Sequence, residues 1–186
     1  QTPHWTPEIQ IHYPLITEIK LSPDATHVVY TVREPLMTED ESRFVTHLYT
    51  ASIGEDAGED ARRLTYGKHT NHTVRWSPSG DLIAFVSDRT GESNIYLMRV
   101  DGGEPWSLTS YDETGVANLA WSPDGRSLVF LMKEPPSEAK RAARKAKDDS
   151  ILWDEDFDFH HIYRLDLTSD RQAQEPVQLT AGRFHV

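Results

Sequence analysis

The chain has 186 residues, a net charge of −11 and no cysteine. That length holds one domain with a sizeable core, and the acidic balance argues against nucleic acid or an anionic membrane as the main partner, because both repel such a surface. Without cysteine there is no disulfide, thiolate nucleophile or Cys-ligated zinc. Five Trp and seven Tyr argue against disorder, and no apolar run approaches the roughly 18–20 residues of a membrane span.

The first unit, about 15–66, opens with strands over Thr17–Ser22 and Val28–Val32, joined through Leu21-Ser22-Pro23-Asp24-Ala25. A polar insertion from Pro35 to Arg43, a strand over Thr46–Ala51 and an acidic loop from Gly54 to Asp60 follow. Arg63-Leu64-Thr65 closes the unit as an outer strand.

The second unit, about 72–111, is the cleanest. Thr73–Ser77 reads as a strand, Pro78-Ser79-Gly80-Asp81 as a turn and Leu82–Ser87 as a continuous apolar strand. Asp88–Glu92 reads as a turn, Asn94–Val100 as a third strand, Asp101-Gly102-Gly103-Glu104 as a hairpin turn and Trp106–Thr109 as the outer strand. Strands that are apolar on both faces belong to a sheet covered on both sides.

The third unit, about 116–181, repeats the plan. Ala117–Ser122 and Ser127–Met132 flank the turn Pro123-Asp124-Gly125, and Ile162–Leu167 and Val177–Thr180 complete it after a long insertion. Within that insertion Glu138–Lys147 is rich in Ala, Lys and Arg and predicts a short helix.

Trp76-Ser77-Pro78-Ser79-Gly80 returns 45 positions later as Trp121-Ser122-Pro123-Asp124-Gly125, and Leu21-Ser22-Pro23-Asp24-Ala25 is a weaker copy. A repeat of about 40–45 residues with strand-like flanks predicts an all-β fold of four-stranded antiparallel propeller blades. Three blades fit in residues 1–186. A closed ring needs at least four, so we expect an incomplete propeller whose missing blades come from a longer polypeptide or from partner chains.

The repeat, with Ser87-Asp88-Arg89-Thr90-Gly91 and Asn94-Ile95-Tyr96, resembles the propeller repeats of TolB-like proteins and of the prolyl-oligopeptidase family of serine peptidases. The charged insertion before Tyr163-Arg164-Leu165-Asp166-Leu167, the stretch Asp101-Gly102-Gly103-Glu104-Pro105 and the entry Trp5-Thr6-Pro7-Glu8 look like the acylaminoacyl-peptidase and dipeptidyl-peptidase branch. The resemblance implies an N-terminal propeller that gates peptide access to a C-terminal α/β-hydrolase domain with a Ser-Asp-His triad, and no cofactor. The alternative is a non-enzymatic TolB-like propeller that binds proteins.

The chain has no Gly-x-Ser-x-Gly, so the hydrolase domain is expected outside it and no catalytic residue is assigned within it. Asp154, Asp156 and Asp158 begin like a calcium loop, but Phe159 stands where Gly is needed and Leu165 where Glu closes the site. His160-His161 and His69-x-x-His72 lack the spacing of a zinc hydrolase, so no metal site is assigned and packing or hydrogen bonding is the expected role. The basic helix is expected to be solvated, or to lie over the propeller rim at the entrance to the peptidase cavity. Glu34, Glu39 and Glu92 are candidates to pair with a substrate ammonium, with no choice among them. A start at Gln1 tilts the expected location toward the periplasm or secretion.

Overall fold

The computed structural model describes residues 13–39, 41–54, 60–134 and 159–182. Among these residues every regular element is a strand, and the strands form three separate four-stranded antiparallel sheets. The first sheet holds β1 (Leu15–Leu21), β2 (His27–Met37), β3 (Ser42–Ser52) and β4 (Arg62–Arg63) in that order. The second holds β5 (Asn71–Trp76), β6 (Leu82–Thr90), β7 (Glu92–Arg99) and β8 (Trp106–Ser107). The third holds β9 (Val116–Trp121), β10 (Ser127–Lys133), β11 (His160–Asp166) and β12 (Val177–Gln178). Three blades of a propeller are thus in place. The helix expected over 138–147 lies outside the described residues.

The middle blade has two cores. Side chains alternate across a strand, so β6 sends Ile83 and Phe85 toward the first blade and Leu82, Ala84 and Val86 toward the third. Strand β7 does the same, with Tyr96 and Met98 on one side and Ile95 and Leu97 on the other. The first core adds Val29, Leu48, Leu64 and Val74, and the second adds Leu119, Leu128, Phe130 and Leu165. The outer flanks are bare by comparison. Ile19 is 60% exposed and Leu21 54%, while Val129, Leu131 and Ile162 are half-buried on the far face of the third blade.

Each inner strand ends in the same bracket. The Ser77 backbone N–H donates to the Leu82 carbonyl, and the Ser77 hydroxyl accepts the Leu82 N–H at 3.0 Å. Ser122 repeats this with Ser127, and Ser22 with His27. A carboxylate two or four residues on accepts the serine proton: Asp24, Asp81 or Asp124. The fourth turn position takes a left-handed conformation in all three blades, with φ 77° at Gly80, 67° at Gly125 and 58° at Ala25.

Two sequence readings are corrected. Asp88–Glu92 is not a five-residue turn. Strand β6 runs to Thr90 past a bulge and β7 begins at Glu92, so Gly91 alone joins them, with φ 105°. The Pro35–Arg43 insertion is also largely strand, because β2 and β3 stay paired from His27↔Ser52 to Met37↔Ser42. Pro35 is tolerated there because β1 pairs with β2 only as far as Arg33, which leaves an edge beyond it.

Ala25 is strained by its left-handed backbone, at about 1 kcal/mol, and part of that is offset by the greater unfolded-state freedom of glycine. Ala25→Gly is expected to raise stability by a few tenths of a kcal/mol, and Gly125→Ala to lower it by about 1 kcal/mol or more. Urea denaturation of the two variants checks the opposite signs.

Candidate functional site: the inner edge and the crossover face

The first strands of the three sheets converge, with β5 packed between β1 and β9. They are joined by repeated polar links. Trp76 Nε1 donates to the Lys20 carbonyl at 3.0 Å, and one blade on, Trp121 Nε1 donates to the Arg75 carbonyl at 3.3 Å. Each indole therefore reaches back to the preceding blade. The corresponding residue of the first blade is Leu21, which has no donor. Beneath the indoles, Glu18 accepts the Val74 backbone N–H at 3.0 Å and pairs with Arg75 at 2.6 Å. A bulge at Thr73 exposes that N–H: Thr73 has φ 53° and Asn118, at the same place in β9, has φ 47°. Left-handed backbone at a β-branched residue is costly and is held by its surroundings.

The face opposite the Ser-Pro turns carries the crossovers between blades. Asp88 accepts the Thr70 N–H at 2.8 Å and lies 3.7 Å from His69 and 3.8 Å from Arg43. Arg43 also holds Glu41 and the Lys68 carbonyl, so the β2–β3 hairpin is tied to the second blade. Of the three candidate glutamates, Glu34 is committed to Arg63 at 3.2 Å, beside His47 at 3.9 Å. Glu39 and Glu92 are exposed, on the β2–β3 hairpin and at the start of β7. The structure places the three on separate elements.

The outer edge shows what the Leu-Thr signature does. In each blade the leucine N–H donates to the carbonyl of a third-strand residue: Leu64 to Leu48, Leu108 to Ile95, Leu179 to Ile162. The next threonine hydroxyl accepts the N–H of that same residue at 2.9 Å, through Thr65, Thr109 and Thr180. The outer strands are two residues long, not four, because a side chain takes over the ladder there. The residue before the third-strand partner is buried and polar in every blade: His47, Asn94 and His161. Thr109 donates to Asn94 Oδ1 at 2.8 Å, and Thr65 and Thr180 approach the Nδ1 atoms of His47 and His161 at 3.5 Å. Sequence reasoning missed this equivalence, although the Leu-Thr signature pointed to it.

His47 and His161 thus have structural settings, and His72 Nδ1 lies 2.8 Å from the Thr73 hydroxyl. Burial, with the Arg63 guanidinium beside it, pushes the His47 imidazole down to about 4, and burial lowers His72 as well. Among the described residues no three of His, Asp and Glu are grouped as a metal would require, and no helix is long and apolar enough to cross a membrane. Asp154, Asp156 and Asp158 lie outside the described residues.

A family model, the WD40 domain of anaphase-promoting complex subunit 4, matches residues 74–140. The uncharacterized peptidase YuxL of Bacillus subtilis is 29% identical over 136 residues, 73% of this chain and 20% of its own length. Dipeptidyl-peptidase 5 of Porphyromonas endodontalis is 29% identical over 141 residues, 75% of this chain and 20% of its own. Among solved structures, the acylaminoacyl peptidase of Pyrococcus horikoshii has a TM-score of 0.61 at 12% identity, covering 89% of this chain and 25% of that one. A putative TolB from Agrobacterium tumefaciens has a TM-score of 0.57 at 24% identity, covering 90% and 50%. The structural likeness is one of fold: WD40-type, TolB-like blades shared with peptidase propellers. The chain spans about a fifth of the length of the two peptidases it matches in sequence.

Two measurements test these links. Thr109→Val strips a buried hydroxyl, orphans the Ile95 N–H and leaves Asn94 Oδ1 with the Tyr111 N–H alone, at an expected cost of about 1–3 kcal/mol in urea denaturation. For His47, the folded value lies below the unfolded value, so protons favour the unfolded chain. Its contribution is complete above about pH 6.5 and is lost as pH falls toward about 4, on the order of 3 kcal/mol. His47→Asn, which copies Asn94, is expected to flatten that part of the pH–stability profile.

Proposed function

We propose that the chain is the N-terminal propeller portion of a serine peptidase of the prolyl-oligopeptidase family, of acylaminoacyl- or dipeptidyl-peptidase type. It gates the access of peptides to an α/β-hydrolase domain carried outside these residues. The observation that carries this reading is the sequence match to two peptidases over nearly three-quarters of the chain, together with a blade stack whose outer flanks are only partly covered by the described residues. The repeat serines support it from the other side. Ser22, Ser77 and Ser122 spend their hydroxyls on turn backbone and neighbouring carboxylates, in keeping with a role in closing the turns.

In this reading the acyl transfer is done by a Ser-His-Asp triad of the other domain. The blades supply a rigid wall. Glu39 and Glu92, exposed on the crossover face, are the carboxylates available to a substrate ammonium, while Glu34 already serves Arg63. The TolB likeness, which covers half of that chain, favours a second reading as a protein-binding module.

A fluorophosphonate probe on the full-length protein separates the two. The expected label falls on one serine outside residues 1–186, and short peptides are hydrolysed faster than an unfolded protein. Trp121→Phe, which removes the indole donor between blades, is expected to narrow that size preference. A protein with no labelled serine and no hydrolysis is the binding module; a labelled serine within 1–186 sinks the peptidase reading as stated.

A further inference from the structure

The groove on the outer side of the first two blades has a counterpart between the second and third. Internal repetition separates what the fold needs from what it does not. One wall of each groove is a Leu-Thr segment, at 64–65 and 108–109, and the other is Glu-Pro, at 104–105 and 175–176. Those shared residues belong to the blade plan. The grooves differ in charge. The first, of about 310 Å³, holds Arg63 and Arg89. The corresponding positions of the next blade are Ser107 and Glu134, so the guanidinium that lies over Tyr96 in the second blade has a carboxylate as its counterpart in the third.

Both guanidiniums are held in place. Arg89 sits 4.8 Å over the Tyr96 ring, with Nε donating to the Ser87 hydroxyl and Nη2 to Asn71 Oδ1, each at 3.2 Å. Its Nη1 faces Glu104 at 3.9 Å, beyond hydrogen-bond reach, and the Glu104 side chain is 93% exposed. Arg63 lies 5.2 Å over the ring of Tyr66, which is itself 69% exposed, and donates through Nε to the Thr65 carbonyl at 2.7 Å. Glu104 follows Gly102 and Gly103, with φ 111° and 108°, and a Cβ on Gly103 would meet only open space.

We propose that this groove is a recognition site for a peptide carboxylate. Arg89 presents its Nη1 edge to the carboxylate and Tyr66, beneath the Arg63 guanidinium, covers the adjoining residue; the charge of Arg63 itself is already matched by Glu34 at 3.2 Å. A preorganised guanidinium stacked on a ring loses little freedom when it binds a carboxylate. Glu104 is an internal competitor, parked near Arg89 without a hydrogen bond. The site is separate from the inner edge and independent of the reading under Proposed function.

Calorimetric titration of the full-length protein with a tripeptide bearing a free C-terminal carboxylate, against its C-terminal amide, tests this. The acid is expected to bind about tenfold more tightly than the amide, about 1.4 kcal/mol. Glu104→Gln, a change at an exposed side chain, is expected to tighten the acid about threefold, and Arg89→Gln to abolish the preference. A peptide amide with an internal glutamate tells a side-chain carboxylate from a terminal one, and preference for either over the neutral amide supports the site. Equal affinity for all three peptides, or a preference unmoved by Glu104→Gln, overturns it whether or not the protein hydrolyses peptides.

Discussion

Everything in this structure depends on a sheet that is apolar on both faces. Strands β6 and β7 cannot face water on either side, since Ile83, Phe85, Ala84, Val86, Ile95 and Leu97 are all fully buried. At roughly 25 cal/mol per Å² of apolar surface, leaving either side uncovered costs several kcal/mol. The middle blade therefore requires two neighbours, and it has them. The first and third blades each have one covered face and one that is only half-covered. The same physics that assembles the three also leaves the stack unfinished at both flanks.

Burial does not set how blades are spaced, because the hydrophobic term has no direction. The directional links do that. Trp76 and Trp121 each reach one blade back, Glu18 ties β1 to β5, and Arg43 ties the hairpin of the first blade to Asp88 of the second. The turns pack in series too. A Cβ on Gly80 would lie 3.7 Å from Pro23, and one on Gly125 would lie 3.5 Å from Pro78. The Ser-Pro-x-Gly segment thus does two jobs: serine closes the turn within a blade, and proline and glycine meet between blades.

Much of this was legible. The spacing of Trp76 and Trp121, the double-sided apolar run at 82–86 and the recurring Leu-Thr pair marked blades and their outer edges. Polar strand residues were harder. Asp88-Arg89-Thr90 and Pro35–Arg43 read as loops because they are polar, yet backbone pairing carries the strands through them. The equivalence of His47, Asn94 and His161 was hidden because two residue types solve one problem, a buried polar partner for a threonine hydroxyl. The charge difference between the two outer grooves could not be read at all without strand register, since Arg63 and Arg89 are 26 positions apart in sequence and meet only through packing.

Alternation between two cores also bears on how such a chain changes length over time. One residue gained or lost inside β6 would exchange the occupants of both interiors at once, placing Phe85 where Ala84 belongs. Single extra residues are therefore absorbed as bulges, as at Thr73, Asn118 and the end of β6, and longer insertions fall outside the paired stretches. The link from β6 to β7 is a single glycine, whereas the link from β10 to β11 spans residues 134–159. Elaboration of this architecture is channelled to its hairpin tips, where new segments can be tried without disturbing the frame in which the side chains are read.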